Sequence, residues 1–400
     1  MFPNDLEKIY GNLLNIYGYF TDQSFIFMCK HIIMNSFRIF ISAKRRRILM
    51  GKKILVVETG GTFATSSINN IRTLTNYGVD KTIYDYASVM DKCELYDIEF
   101  EKIRPIFTLS ENMTLELINE LLKALLAVNY DTYDGVIVTH GTDTLAYTSN
   151  ILSMLFSHKG IPFVMVSSNH PLDNDKANGV DNFLAALDFI EKVKIQGVFV
   201  AYRDYEGVME VHLGSRVKQM NQIIDSYESF KNVNFGKIEN SEFIWNDNKL
   251  NPSIEQLNAA GTVKDPDKLD LTKTVMMIYP YVGLRHDLYN INENLDAVVY
   301  GVYHSGTFCS QESDPNHSIN KLVDRLAEFN IPLYISEVSS ESDKYASAMA
   351  LNADKVVNIV YDTSIENLYS KVTMAFDLFD NIEERNKFIK ETNVFFEKVV

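Results

Sequence analysis

Short runs of consecutive apolar residues alternate with helical periodicity from Lys52 onward. Buried parallel strands are apolar on both faces, whereas a helix that covers a sheet repeats its apolar residues every three or four positions. Strands are predicted at 54–57, 136–138, 163–166 and 198–200, and helices at 115–126, 145–156 and 179–193. Alternation of this kind indicates an α/β domain with right-handed crossovers.

The alternation stops between residues 231 and 273, a stretch rich in Asn, Asp and Lys that suggests an edge hairpin and a linker. It then restarts, with strands predicted at 275–279, 297–300, 332–335 and 356–360 and helices at 318–329, 343–351, 364–379 and 381–398. We therefore predict a two-domain α/β protein with a larger N-terminal parallel-type sheet, flanking helices and a smaller C-terminal α/β domain. The predicted divisions are an N-terminal extension (1–50), the larger domain (51–250), a linker (251–273) and the smaller domain (274–400).

Charge also sets the first fifty residues apart. They carry seven basic and three acidic side chains, whereas the other 350 residues carry 31 basic and 50 acidic ones. An acidic body has no general attraction for nucleic acid or anionic membranes, so neither is expected as a partner. For the N-terminal extension, the favoured interpretation is an overextended translation start. Two alternatives stay open: an adaptor helix with a basic tail, or a weak targeting element.

The remaining composition narrows the class of protein further. The apolar stretch 25–41 is interrupted by Lys30, His31 and Arg38, which argues against a membrane span. The acidic, polar start and the lack of a small-residue cleavage site argue against a signal peptide. Three scattered cysteines provide neither a disulfide framework nor a zinc cluster, and they favour a reducing compartment. We therefore expect a cytoplasmic protein without a bound metal.

Threonines flanked by glycines follow two of the predicted strands. Glu58-Thr-Gly-Gly-Thr62 comes after the first strand, and Thr139-His-Gly-Thr-Asp-Thr144 comes after the second. Ligands of open parallel sheets bind beyond the carboxyl ends of the strands. Glycine lets a backbone approach a ligand closely, and a helix N-terminus stabilises negative charge. These two strand ends are therefore the candidate site.

Taken singly, each element has a simpler explanation. The first could be a tight turn, and Thr142 and Asp143 could cap a helix. The sequence argues against a nucleotide-binding dehydrogenase, because the glycine turn after the first strand lacks G-x-G-x-x-G and the chain contains no G-x-x-x-x-G-K-[ST].

Taken together and in this order, the two elements resemble the signatures of the bacterial-type L-asparaginase (asparaginase/glutaminase) family. Thr59-Gly-Gly-Thr-Phe-Ala64 matches T-G-G-T-[IF]-A, and His140-Gly-Thr-Asp-Thr144 matches H-G-T-D-T. Ser110-Glu-Asn-Met113 and Arg216-Val-Lys218 look like further family elements, and the likeness runs from about Lys52 to the last residue.

The resemblance implies hydrolysis of L-asparagine to L-aspartate and ammonia, with some glutaminase activity and no cofactor. Thr62 would be the nucleophile that forms an acyl-enzyme, while Thr142, Asp143 and Lys218 would move protons behind it. A threonine hydroxyl is a weak nucleophile and needs such a neighbouring base. Tyr77 is the candidate for the family's tyrosine on a mobile loop.

Substrate binding is expected from the same loops. Asp143 and Glu111 would hold the α-ammonium group of asparagine, Ser110 would meet its carboxylate, and Thr142 and Ser168 would complete the pocket. Without the motifs, Ser110 and Glu111 would be a helix cap with its acid, and Lys218 a surface lysine. The chain departs from the family pattern at 168–170 and at 304–307, which bears on side-chain selectivity and subunit contacts.

The family also implies a homodimer or homotetramer with active sites near subunit interfaces. Two alternatives stay open: a tRNA-dependent amidotransferase subunit of the same superfamily, and a non-catalytic amino-acid-binding protein on the same fold. The second is disfavoured because a binding protein has no need for Thr62, Thr142, Asp143 and Lys218 together.

Overall fold

The computed structural model describes residues 51–68, 71–74, 82–263, 265–311, 313–341, 345, 350–351 and 356–400. The extension, Tyr77 and most of the predicted helix 343–351 lie outside the described residues. From Lys53 to Val400 the chain forms one compact unit.

The strands lie where the apolar runs predict them, and several more accompany them. In chain order they are β1 (Lys52–Glu58), β2 (Thr65–Ile68), β3 (Ile71–Leu74), β4 (Ile98–Ile103), β5 (Gly135–Thr139), β6 (Pro162–Val166), β7 (Gly197–Arg203), β8 (Met209–Leu213), β9 (Gly236–Glu239), β10 (Glu242–Trp245), β11 (Val275–Ile278), β12 (Ala297–Tyr300), β13 (Leu333–Val338) and β14 (Val357–Tyr361). The helices are α1 (Ala87–Tyr96), α2 (Leu115–Leu126), α3 (Leu145–Phe156), α4 (Gly179–Val193), α5 (Ile254–Asn258), α6 (Ile319–Glu328), α7 (Ile365–Leu378) and α8 (Ile382–Lys390).

The strands form a large, mostly parallel sheet and a separate small parallel sheet. The large sheet has the order β10-β9-β8-β7-β6-β5-β1-β4, and the small one has the order β11-β12-β13-β14. Strands β1, β5, β6 and β7 pair in parallel, whereas β8, β9 and β10 add an antiparallel edge. The predicted fold class is therefore confirmed.

The core lies on both faces of the large sheet, because successive side chains of a strand point to opposite faces. Leu55 and Val57 pack on the face that α2 and α3 cover, and Ile54 and Val56 pack on the face of α1 and α4. The central strands are therefore apolar throughout, as the sequence predicts. No helix in the described part of the chain is long and apolar enough to cross a membrane.

The predicted helix 381–398 is wrong in its second half, because α8 ends at Lys390. The carboxylate of Glu397 accepts hydrogen bonds from the backbone N–H groups of Val394 (3.1 Å) and Phe395 (3.0 Å). It also binds the ammonium of Lys371 at 2.6 Å, and both side chains are almost completely buried. These bonds fold residues 391–400, the tail, into an irregular segment whose Phe395 is buried in the core.

The prediction does not include helices α1 and α5 or strands β2, β3, β4 and β8. Strand β4 carries Glu99, Glu101 and Lys102 and alternates between half-buried and exposed residues. It therefore lacks the continuous apolar run that marks the central strands.

Buried histidines make the fold sensitive to acid, and His212 is one of them. His212 in β8 is buried with Nδ1 2.9 Å from the Ser229 hydroxyl, and burial lowers its pKa to about 4. In the unfolded chain the pKa is about 6.5. The stability that depends on neutral His212 is thus present above pH ~6.5 and is lost as the pH falls towards ~4.

We predict that the free energy of unfolding, measured by urea titration, falls between about pH 7 and about pH 5. His212→Asn should be less stable at neutral pH, but its free energy of unfolding should fall less on acidification. The exposed His304 offers a control, since His304→Asn should keep the wild-type pH dependence. An unchanged pH dependence in His212→Asn would contradict the assignment.

Candidate active site

Two glycines bring the loops after β1 and β5 into backbone contact. The strands pair in register to their ends, where Glu58 lies opposite Thr139. Gly61 has a φ of +62°, and a Cβ at this position would lie 2.4 Å from the backbone nitrogen of Gly141. Any larger residue would therefore be strained and would push the loops apart. The loop that carries Thr62 is consequently packed against the loop that carries Thr142 and Asp143.

A third loop, 108–113, closes this group. The N–H of Gly61 donates to the carbonyl of Thr108 at 2.8 Å, and the N–H of Thr108 donates to the carbonyl of Thr59 at 3.1 Å. A Cβ on Gly141 would lie 2.5 Å from the hydroxyl oxygen of Ser110. The three predicted elements thus meet at one point on the carboxyl edge of the large sheet.

The two threonines of the first motif have different surroundings. The Thr59 hydroxyl is buried and donates to the carbonyl of Thr139 at 2.8 Å, which joins the two strand ends. Thr62 lies half-buried in the short 3-10 turn Gly61–Ala64, and its carbonyl accepts a hydrogen bond from the Thr65 hydroxyl at 3.0 Å. Thr59 therefore has a structural contact, and Thr62 is the threonine available for chemistry.

Asp143 and Ser110 form a direct pair. The Ser110 hydroxyl donates to Oδ2 of Asp143 at 2.8 Å, and the Ser110 carbonyl accepts from the Thr144 hydroxyl at 3.0 Å. Because Ser110 gives its only hydroxyl proton to Asp143, it orients this carboxylate. Asp143 and Glu111 are both exposed to solvent.

Tyr227 holds the backbone of the second motif at Thr142. Its hydroxyl donates to the carbonyl of Thr142 at 3.0 Å, and its ring packs edge-on against that of Tyr202. Burial raises the pKa of Tyr227, so the phenol keeps its proton and acts as a donor. The sequence analysis missed this residue, because no motif surrounds it and only the fold brings it under Thr142.

His140 is a structural histidine. Its Nδ1 lies 2.8 Å from the carbonyl of Gly141, and its Nε2 lies 3.0 Å from the Thr148 hydroxyl. A carbonyl can only accept, so the neutral ring donates from Nδ1 and accepts at Nε2. Burial lowers its pKa to about 4, which keeps the ring neutral. Among the described residues, no group of histidine, cysteine and carboxylate side chains is arranged to hold a metal ion.

Ser168 is fully buried, and its hydroxyl donates to the carbonyl of His170 at 2.6 Å. The next residue, Asn169, exchanges two hydrogen bonds with Asn178 at the start of α4. The contact of Ser168 is thus one that stabilises its own turn.

Lys218 follows β8 on the segment Gly214–Gln219 and pairs with the second sheet. Its ammonium lies 3.1 Å from Oε1 of Glu337, which belongs to β13. Lys218 and Asp143 are both described residues and form no ion pair with each other. Burial lowers the pKa of Lys218, but the carboxylates of Glu337 and Glu366 raise it, and the net pKa lies above its ordinary value.

Glu337 and Glu366 were missed by the sequence analysis. Glu337 stands near the carboxyl end of a predicted parallel strand, so the rule that selected the threonine loops also selects it. Glu366 lies at the start of α7, and only the tertiary structure brings it near Lys218.

Fold and site together define a two-domain α/β protein in which three polar loops meet at the carboxyl edge of a large parallel sheet. Residues 53–251 match the family model described as "Asparaginase, N-terminal". This N-terminal half of the chain belongs to the asparaginase family.

Individual relatives fall into two groups. An L-asparaginase from Thermococcus kodakarensis is 31% identical over 194 residues, which are 46% of this chain and 52% of that protein. The chain thus spans about half the length of this relative. A glutamyl-tRNA(Gln) amidotransferase subunit from Methanosphaera stadtmanae is 24% identical over 360 residues, which are 85% of this chain and 75% of that protein.

The fold is shared with a solved structure. The thermostable L-asparaginase from Thermococcus kodakarensis superimposes with a TM-score of 0.65 at 21% identity and covers 86% of this chain and 98% of its own.

We predict that Gly61→Ala abolishes the function of the site. Gly160→Ala is the matched control, because Gly160 also has a positive φ (+78°) but has no atom within 4 Å of its missing Cβ. The control should lose about 1–2 kcal/mol of stability, whereas Gly61→Ala should lose on the order of 1–3 kcal/mol more through the backbone clash. Urea titration of both variants measures this difference, and equal losses would refute the close approach of the two loops.

Proposed function

We propose that the protein is an L-asparaginase, which hydrolyses the side-chain amide of L-asparagine to L-aspartate and ammonia and has some activity on glutamine. The observation that carries this proposal is the contact of Gly61 with Gly141, which packs the Thr62 loop against the loop of Thr142 and Asp143. Membership of the asparaginase family supports it.

The reaction takes two steps. The Thr62 hydroxyl attacks the amide carbon of the substrate, and its proton passes to the leaving nitrogen, which departs as ammonia. Water then hydrolyses the ester on Thr62 and releases aspartate. Backbone N–H groups of the glycine-rich loops stabilise the negative oxygen of each tetrahedral intermediate, and one such donor contributes about 10²–10³ in rate at comparable sites.

Proton transfer requires a base, and we assign this role to Lys218 acting with Thr142 and Asp143. Only the neutral amine of a lysine accepts a proton. Because the pKa of Lys218 lies above its ordinary value, its neutral fraction is small near neutrality and grows as the pH rises. The rate of the proposed reaction therefore increases towards alkaline pH. Tyr77 stays the proposed loop tyrosine.

The substrate is held by opposite charges at the loop surface. The exposed carboxylates of Asp143 and Glu111 face solvent and bind the α-ammonium group. Ser110 orients Asp143 through the 2.8 Å hydrogen bond and leaves the carboxylate of the substrate to backbone N–H donors. Ser168 and Thr142 shape the rest of the pocket.

We further propose a homodimer or homotetramer with active sites near the subunit interfaces, which light scattering tests directly. The free thiols of Cys93 and Cys309 fit a reducing compartment, and we place the protein in the cytoplasm.

A second candidate is a component of an amidotransferase. It is favoured by the alignment with the Methanosphaera stadtmanae relative, which is named as part of a glutamyl-tRNA(Gln) amidotransferase and matches 85% of this chain. An L-asparaginase releases ammonia from free asparagine without any partner. If ammonia appears only when aminoacyl-tRNA and a second protein component are added, the amidotransferase role is the correct one.

Thr62→Val tests the nucleophile, because it removes the hydroxyl and keeps the size of the side chain. We expect ammonia release from L-asparagine to fall on the order of 10⁴–10⁶-fold, with the circular dichroism spectrum and urea midpoint close to those of the wild type. Thr62→Ser keeps a hydroxyl and should retain measurable activity. Wild-type turnover in Thr62→Val would exclude Thr62, and a wild type inactive on both asparagine and glutamine would exclude the free hydrolase.

A further inference from the structure

The segment that carries Lys218 is held in place from the second sheet and its helices. Asn367 of α7 donates from Nδ2 to the carbonyl of Ser215 at 3.2 Å. Glu366 of the same helix accepts at Oε1 from the backbone N–H of Gln219 at 2.8 Å. Glu337 then binds the Lys218 ammonium itself at 3.1 Å. Three contacts from the smaller domain therefore fix residues 215–219, which belong to the larger one.

The tail adds two contacts to the same segment. The Ser215 hydroxyl donates to the carbonyl of Phe395 at 2.6 Å, and Nε of Arg216 donates to the carbonyl of Phe396 at 2.6 Å. Hydrogen bonds thus hold the chain on both sides of Lys218. The position of the Lys218 ammonium depends on its ion-pair partner, Glu337.

That partner, Glu337, has an unusual backbone. Its φ of +60° is a left-handed conformation that costs free energy for a residue with a side chain. The pairing of β13 with β14 shifts register between Ile335 and Val338, which turns this residue out of the regular strand. Strain of this kind persists only when the surrounding structure imposes it, and it is common at functional sites.

The Glu337 carboxylate is divided between two partners. Oε1 binds Lys218, and Oε2 accepts from the Tyr279 hydroxyl at 2.5 Å. The Glu337 side chain is only 10% exposed, compared with 31% for Lys218. Exposed ion pairs contribute little because water screens them, whereas a mostly buried and hydrogen-bonded carboxylate holds its partner in one place.

We propose that Glu337 is a positioning residue of the active site, which reaches across from the smaller domain to fix the Lys218 ammonium. This inference rests on the proposed function. It makes the proton-transfer group of the larger domain dependent on a carboxylate that the smaller domain supplies.

Other charges around Lys218 set the size of the effect. The carboxylate of Glu366 on α7 acts on Lys218. The carboxylate of Glu228 also acts on it, and the backbone of Glu228 accepts a hydrogen bond from the Lys218 N–H at 2.9 Å. These two carboxylates stay when Glu337 is neutralised. Removing Glu337 therefore lowers the pKa of Lys218 in part and leaves the lysine loosely held.

Glu337→Gln tests both consequences through the pH dependence of ammonia release from L-asparagine between about pH 7 and about pH 11.5, a range that extends beyond the ordinary lysine pKa of about 10.4. We expect the alkaline rise to move to lower pH, because a carboxylate that favours the charged amine has been removed. The limiting rate should fall by about tenfold or more, because the amine is no longer fixed. Glu337→Asp keeps the charge but is shorter, so its alkaline rise should stay near the wild-type position while its limiting rate falls.

Glu341→Gln is the matched control, since Glu341 is an exposed carboxylate that follows β13 and lies four residues after Glu337. It removes the same charge from the loop and should leave both the rate and its pH dependence unchanged. If Glu337→Gln behaves like Glu341→Gln, Glu337 does not position Lys218.

A second measurement does not depend on activity and separates this inference from the proposed function. A lysine-selective acylating reagent attacks only the neutral amine, and peptide mass spectrometry gives the rate at Lys218. At equal pH, Lys218 should react about tenfold faster in folded Glu337→Gln than in the wild type. Equal acylation rates would overturn the inference even in an active enzyme, while faster acylation in an enzyme without amidase activity would reject only the proposed reaction.

Discussion

The close approach of Gly61 and Gly141 is the constraint on which the rest of the site depends. Parallel strands β1 and β5 end side by side, but their loops could diverge after Glu58 and Thr139. They stay together because neither glycine has a side chain and because Gly61 adopts a left-handed φ. The positions of Thr62, Thr142 and Asp143 follow from this backbone contact.

The charges of the site are separated into two pairs. Asp143 is oriented by Ser110 on the large sheet, whereas Lys218 is bound by Glu337 from the small one. In the proposed reaction, Asp143 binds the substrate and assists Lys218, which takes part in proton transfer. The strongly acidic body is no obstacle, because a zwitterionic amino acid carries no net charge for it to repel.

The tail depends on the buried pair of Lys371 and Glu397. Isolating two charges from water is costly, and such a pair is tolerated when further hydrogen bonds satisfy it. Here the Lys371 ammonium also donates to the Thr392 carbonyl at 2.5 Å, and Glu397 accepts from two backbone N–H groups. Burial raises the pKa of Glu397, but Lys371 and these hydrogen bonds lower it by more. The net pKa therefore lies below its usual value. The pair fixes one conformation of the tail, which in turn supports Ser215 and Arg216.

The sequence by itself determined the central strands, most of the helices and the position of the two threonine loops. Those features depend on local periodicity and on residues within one turn, such as the apolar run 54–57 and the glycines beside Thr62. Only the tertiary structure decided that Tyr227 supports Thr142, that residues 391–400 leave the helix, and that Lys218 meets Glu337 and not Asp143. Those contacts join residues far apart in the chain, and they are selected by how buried charges and backbone groups find partners once the two sheets have packed.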